Sequence, residues 1–289
     1  MERIILVRYG EIAIKSKPVR RLFENILVGN IRSSLKAGNV QCSVERSFGR
    51  IFIRAEEIDA ACRILKKISG IKSYSVAARA HADIDRIIDV SLKLTESWTR
   101  GDKFAVKTHR VGRHAFSSAD INRDVGEKIR MRGFTVDLNC PERKVFIDIE
   151  HDWSYVYERK IRGIGGLPVG SQGRVIAIVK DYKSIIAACM IFKRGCSIIP
   201  IFVGLKKGRK EDCIKLLGEY SSRPIVSFYE MPKIQWKKIE EMANIHNASA
   251  IASGEYYPIQ RKGSLLLFPL SGLLPEDMAK LEAIFGLGE

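Results

Sequence analysis

Five glycine or proline residues fall within eight positions at Gly163-Ile164-Gly165-Gly166-Leu167-Pro168-Val169-Gly170. Neither a helix nor a central strand can run through such a stretch, because glycine adds backbone freedom and proline removes a donor. The chain must therefore be built differently on the two sides of a strap, and the apolar pattern agrees. Ahead of it, short alternating runs mix with amphipathic helices. Behind it, from residue 174, continuous apolar runs alternate with helical stretches.

Ile4-Ile5-Leu6-Val7 reads as a first strand. Leu22, Phe23, Ile26, Leu27, Ile31 and Leu35 recur at helical spacing, predicting a helix over 20–35 with one buried face. Residues 50–54 read as a strand. Asp59 reads as the cap of a second helix reaching Leu65, with Gly70 as its stop. This order predicts a small α+β domain over residues 1–75. Residues 76–165 repeat the style in a second domain. Residues 104–108 read as a strand, and Ser117 with Asp120 forms a capping-box pattern. Ile121, Val125 and Ile129 follow at i+4 steps towards a stop at Gly133. Val145, Ile147 and Ile149, then Tyr155 and Tyr157, alternate as strands. Residues 166–173 form the junction. From 174 to 289 the runs 175–179, 198–203, 224–228, 248–252 and 265–270 alternate with helices near 184–194, 209–218, 234–245 and 275–285. That pattern predicts an α/β domain with an open parallel sheet.

Charge narrows the function. The chain carries 49 Lys+Arg against 33 Asp+Glu, a net +16. Residues 1–170 hold 32 basic and 21 acidic side chains, so most of the excess lies before the strap. Such a half attracts phosphate backbones and releases their counterions. Lys107, Arg110, Arg113 and His114 crowd one strand and its following loop, with Gly112 permitting a sharp turn. Arg123 and Lys128 follow on the next helix as flanking phosphate contacts. Lys15 and Lys17 lie between the first strand and helix and can extend a basic surface. An ordinary solvated loop is the competing reading for all of them. The six cysteines are scattered, without C-x-x-C pairs or His/Cys clusters at metal spacing, so no metal is expected. No apolar run approaches the roughly 20 residues of a membrane span. The opening residues read as a strand and not as a signal peptide, so the expected location is cytoplasmic.

Three separated motifs carry a family resemblance. Arg8-Tyr9-Gly10-Glu11-Ile12-Ala13-Ile14-Lys15-Ser16-Lys17 resembles the opening of the tRNA 4-thiouridine synthetase family, also called the thiamine-biosynthesis ThiI family. The stretch 107–118, with Val125-Gly126, resembles its THUMP domain, and the strap 163–170 resembles its domain junction. The resemblance implies a ferredoxin-like N-terminal domain, a THUMP domain gripping the acceptor end of tRNA, and a PP-loop ATP pyrophosphatase domain. In complete members that last domain adenylates uridine eight of tRNA, and a persulfide sulfur then displaces AMP. The resemblance is also compatible with a homodimer.

The phosphate loop departs from the family. S-G-G-x-D-S is expected between the first strand and helix of the ATP domain, but residues 179–184 read Val-Lys-Asp-Tyr-Lys-Ser. Only Ser184 matches. Both glycines that would aim backbone N–H groups at phosphate are gone, and Asp181 brings a carboxylate towards the anion. None of the six cysteines matches the reactive cysteine of sulfur-transferring members. The expectation is a tRNA-binding THUMP protein with a degenerate, truncated PP-loop domain, without chemistry or cofactor of its own. It would present tRNA to a separate modifying enzyme or a catalytic paralogue. The alternative is a divergent ATP-dependent sulfurtransferase holding ATP with Lys180, Lys183 and Ser184. A scaffold whose RNA surface is no longer used is the third class.

Overall fold

The computed structural model describes residues 1–47, 49–256 and 263–285. The first elements are β1 (Glu2–Arg8), α1 (Lys17–Ala37), β2 (Cys42–Ser47), β3 (Arg50–Ala55), α2 (Ile58–Leu65) and β4 (Ser73–His81). This is the complete β-α-β-β-α-β order of a ferredoxin-like domain; β2 and β4 are additions to the sequence reading. Then come α3 (Ile84–Leu94), β5 (Lys103–Val111), α4 (Ser118–Arg130), β6 (Thr135–Val136), β7 (Arg143–Glu150), β8 (Trp153–Tyr157) and β9 (Ile161–Arg162). The last part holds β10 (Arg174–Val179), α5 (Tyr182–Lys193), β11 (Ser197–Val203), α6 (Lys207–Ser221) and β12 (Tyr229–Met231). It ends with α7 (Trp236–Ile245), β13 (Ala250–Ser253), β14 (Leu266–Leu267) and α8 (Pro275–Phe285).

The chain forms two compact units. The first comprises Met1–Val7, Phe52–Ala55 and Tyr74–Ile161. Its strands run in the order β3-β1-β4-β8-β7-β5-β6. Period-two alternation divides their side chains between two faces. On one, Phe104, Val145, Ile147 and Ile149 pack against Ile87 and Val90 of α3 and Ile121, Val125 and Ile129 of α4. On the other, Ile4, Leu6, Phe52, Ala77, Tyr155 and Tyr157 form a second cluster. The capping box is present: Ser117 Oγ accepts from Asp120 N at 3.2 Å, and Asp120 Oδ2 accepts from Ser117 N at 2.9 Å.

The second unit comprises Arg8–Ile51, Glu56–Ser73 and Arg162–Glu289. In α1, Phe23, Leu27, Ile31 and Leu35 are buried at i+4 steps, and a proline stands in the first turn. The strap is stitched on both sides. Gly165 N donates to Ile71 O at 2.8 Å, and Leu167 N donates to Lys193 O at 3.0 Å. Beyond it, five parallel strands lie in the order β12-β11-β10-β13-β14. Ala177 and Val179 of β10 face the core of α5, α6 and α8, while Ile176 and Ile178 face that of α7. Burial on both faces explains the unbroken apolar run of β10.

Three expectations need correction. Residue 59 does not cap α2: Glu57 is the N-cap position and Asp59 sits in the first turn, where a carboxylate favours the helix dipole. Residues 224–228 form no strand. The ladder to β11 begins at Ile201↔Tyr229, and Val226 is 84% exposed. Of the run 265–270, only Leu266–Leu267 pairs. Among the described residues, no helix is long and apolar enough to cross a membrane.

Candidate nucleic-acid interface

The basic residues of the first unit sit on β5 and the loop that follows. Phe104 is fully buried in the helix-covered core, so alternation turns Lys107 and His109 to the opposite face. Both are exposed, and they stand in register beside Phe146 and Asp148 of β7. Phe146 stacks on Tyr157 with ring centroids 5.3 Å apart, and Lys160 Nζ lies 4.4 Å from the Phe146 centroid. Cations thus stand beside the half-buried Phe146 ring, which lies over the fully buried Tyr157.

The loop is self-organised. Arg110 Nη1 donates to Gly112 O at 3.0 Å and approaches His114 Nδ1 at 3.2 Å, while His114 Nε2 lies 2.6 Å from His151 O. A carbonyl only accepts and a guanidinium only donates, so His114 carries its proton on Nε2 and accepts at Nδ1. Gly112 turns with φ +107°, and His151 is left-handed at φ +51°. His151 is a contributor the sequence reading omits; only the fold brings it beside residue 114. Arg110 and His114 therefore shape the loop, and Arg113 projects from it exposed.

The remaining candidates divide. Arg123 is compensated twice, by Asp124 Oδ1 at 3.0 Å and Asp120 Oδ1 at 3.2 Å. Those carboxylates, Asp124 first, hold its guanidinium above its ordinary pKa. Lys128 is exposed in the last turn of α4 and forms no ion pair among the described residues. Five residues apart on a helix means roughly 140° around the axis, so Arg123 and Lys128 do not share a face. Lys15 and Lys17 are exposed in the second unit, on the turn before α1 and at its first residue.

The second unit carries a different place for chemistry. Strand order reverses beside β10, whose carboxyl end meets that of β13, the usual crevice for ligands in such sheets. Here the N-terminus of α5 is already capped from within the chain. Asp181 Oδ1 accepts from Ser184 N at 2.9 Å, while Ser184 Oγ accepts from Lys180 N and Asp181 N, each at 3.2 Å. Lys180 is ion-paired with Glu255, and Lys183 Nζ lies 4.6 Å from the Tyr256 ring centroid. A Cβ on Gly254 would stand 2.7 Å from Ser184 Cα, so the end of β13 closes tightly on the helix start. Three N–H groups of this helix start, those of Lys180, Asp181 and Ser184, thus serve a hydroxyl and a carboxylate of the chain itself. Asp181→Ala is expected to remove this cap at a cost of about 1 kcal/mol, read by urea denaturation. No change in midpoint would show the cap to be dispensable.

Residues 4–75 match the ThiI ferredoxin-like domain and residues 81–158 the THUMP domain. A probable tRNA sulfurtransferase of Methanosarcina mazei is 33% identical over 245 residues, covering 79% of this chain and 60% of that protein. One from Methanocaldococcus jannaschii is 33% identical over 257 residues, covering 83% and 67%. This chain thus spans about three fifths of the first of these relatives. In fold, a 4-thiouridine synthetase solved with RNA and bound ATP superposes with a TM-score of 0.82 at 20% identity, covering 98% of this chain and 85% of that one. Both N-terminal domains, the parallel-sheet domain after them and two thirds of a relative's length agree: the chain belongs to the tRNA sulfurtransferase, or ThiI, family.

Proposed function

We propose that this protein binds tRNA through its THUMP-containing half and acts in tRNA modification as a binding or presenting module. In this reading its PP-loop-related domain does not itself carry adenylation. The observation that carries it is the pairing of a THUMP domain with an exposed cationic strand and loop. The capped start of α5 supports its second half, because Asp181 holds the position an anionic phosphate needs. The partner would be a separate modifying enzyme or a catalytic paralogue that receives the tRNA.

Two measurements on the full chain test this. Titration with tRNA across a salt series is expected to give saturable binding whose logarithmic affinity falls linearly with the logarithm of salt concentration. Absence of such binding sinks the tRNA reading. ATP–pyrophosphate exchange and AMP release, measured with tRNA present, are expected to stay at background. Exchange above background would instead make the chain an ATP-dependent tRNA sulfurtransferase, with Lys180, Lys183 and Ser184 as its ATP contacts.

A further inference from the structure

A cleft of about 530 Å³ lies in the second unit, at the opposite end of the parallel sheet from the α5 N-terminus. It opens where β10 and β11 begin and is bounded by α1, the strap and the segment after α6. Its charge is one-sided. Arg174, Arg223 and His246 line it, and none of its described lining residues is acidic. Both arginines are exposed, and neither meets a carboxylate among the described residues. Among the described residues, Arg174 Nη1 contacts only the His246 carbonyl, at 3.4 Å, and no other acceptor meets its remaining donors. The His246 ring is held by Tyr229, whose hydroxyl lies 2.7 Å from Nε2. Ile26, Ile198 and Ile225 supply an apolar wall beside this basic one.

The segment after α6 is shaped against local preference. Ser222 takes a left-handed φ of +60° without being glycine, and its buried Oγ has no hydrogen-bond partner among the described residues. Ser222 is the C-cap of α6, a position where a left-handed residue commonly ends a helix, and it turns the chain into the segment that lines the cleft. Val226, four residues on, stands 84% exposed on the same cleft. An inorganic phosphate would leave the apolar wall and most of the volume unused. The volume lies in the range of small-ligand sites, and planar guanidinium groups suit phosphate oxygens.

We propose that this cleft binds a mononucleotide, with Arg174 and Arg223 on its phosphate and its base against Ile26, Ile198 and Ile225. The ligand is a free nucleotide or a nucleotide of an RNA chain; the recognition chemistry is the same. This assignment is independent of tRNA binding by the first unit.

The test is calorimetric titration of the full chain with AMP and with UMP. Binding is expected, weakened about tenfold or more by Arg174→Ala or by Arg223→Ala and retained in Lys180→Ala. Arg223 lies outside helix and strand, so Arg223→Ala keeps the test open if Arg174→Ala perturbs β10. Competition of a short RNA with AMP would place the natural ligand in an RNA chain, and lack of competition would make it free nucleotide; both uphold the site. No binding of either nucleotide, binding indifferent to both arginines, or loss of binding in Lys180→Ala overturns it.

Discussion

Gly166→Ala is expected to destabilise the protein by more than about 3 kcal/mol, whereas Gly165→Ala, one residue earlier, costs about 1–2 kcal/mol. Both glycines hold left-handed backbone, with φ +76° and +74°, so the conformational penalty of alanine is common to the pair. Their surroundings differ. A Cβ at Gly165 meets none of the described residues within 4 Å, but one at Gly166 would lie 2.0 Å from the carbonyl oxygen of Lys193. That oxygen ends α5 and accepts from Leu167 N at 3.0 Å, so it cannot retreat without losing the bond that ties strap to helix. Urea unfolding of the two variants under one condition makes the comparison, and the difference in ΔG isolates the steric contribution. Equal losses would mean that the strap yields at Gly166 and that α5 is not held by it.

The strap was legible because its signal is local: five residues that resist regular structure suffice, whatever surrounds them. The same holds for the Ser117–Asp120 capping box and for the β10 run, where burial on both faces leaves no polar position to misread. Helix α3 also carries a readable signal, Asp83 accepting from Arg86 N at 3.1 Å ahead of buried Ile87 and Val90. Strand β4 is harder. Its Ser-Tyr-Ser-Val-Ala-Ala-Arg-Ala-His run has small residues buried in a sheet interior, and no alternation announces that. The apolar run 224–228 fails for the opposite reason. Register with β11 is a non-local fact, and it assigns the ladder to Tyr229–Met231 instead.

The candidate interface divides in the same way. Which residues are basic is written in the sequence, but whether a charge is free depends on neighbours one helical turn away or across the sheet. Arg123 shows this: Asp120 and Asp124 are three and one residues distant, and both reach its guanidinium. The start of α5 shows the converse. Asp181 is visible in the sequence only as a charge, and the fold makes it the N-cap of α5 that accepts from Ser184 N.

The double variant Arg110→Ala with Arg113→Ala is expected to weaken tRNA binding by about 10- to 100-fold near physiological salt. The slope of log affinity against log salt should fall in magnitude by up to about 1.8, since each phosphate neutralised contributes about 0.7–0.9. The two residues act differently. Arg113 is exposed and unpaired among the described residues, so Arg113→Ala alone removes one ionic contact and about one unit of slope. Arg110 also holds Gly112 O and His114 Nδ1, so Arg110→Ala loosens the loop that presents its neighbour. Arg123→Ala supplies the internal contrast. Its charge is already met by two carboxylates, so the variant should change affinity by less than about threefold and leave the slope nearly flat against wild type. Filter binding or fluorescence anisotropy with one tRNA at four or more salt concentrations measures all of these. If the folded double variant keeps wild-type affinity and slope, the β5 loop is not the interface. If Arg123→Ala proves as damaging as the double variant, its ion pairs open on contact with RNA, and the whole start of α4 must be counted into the surface.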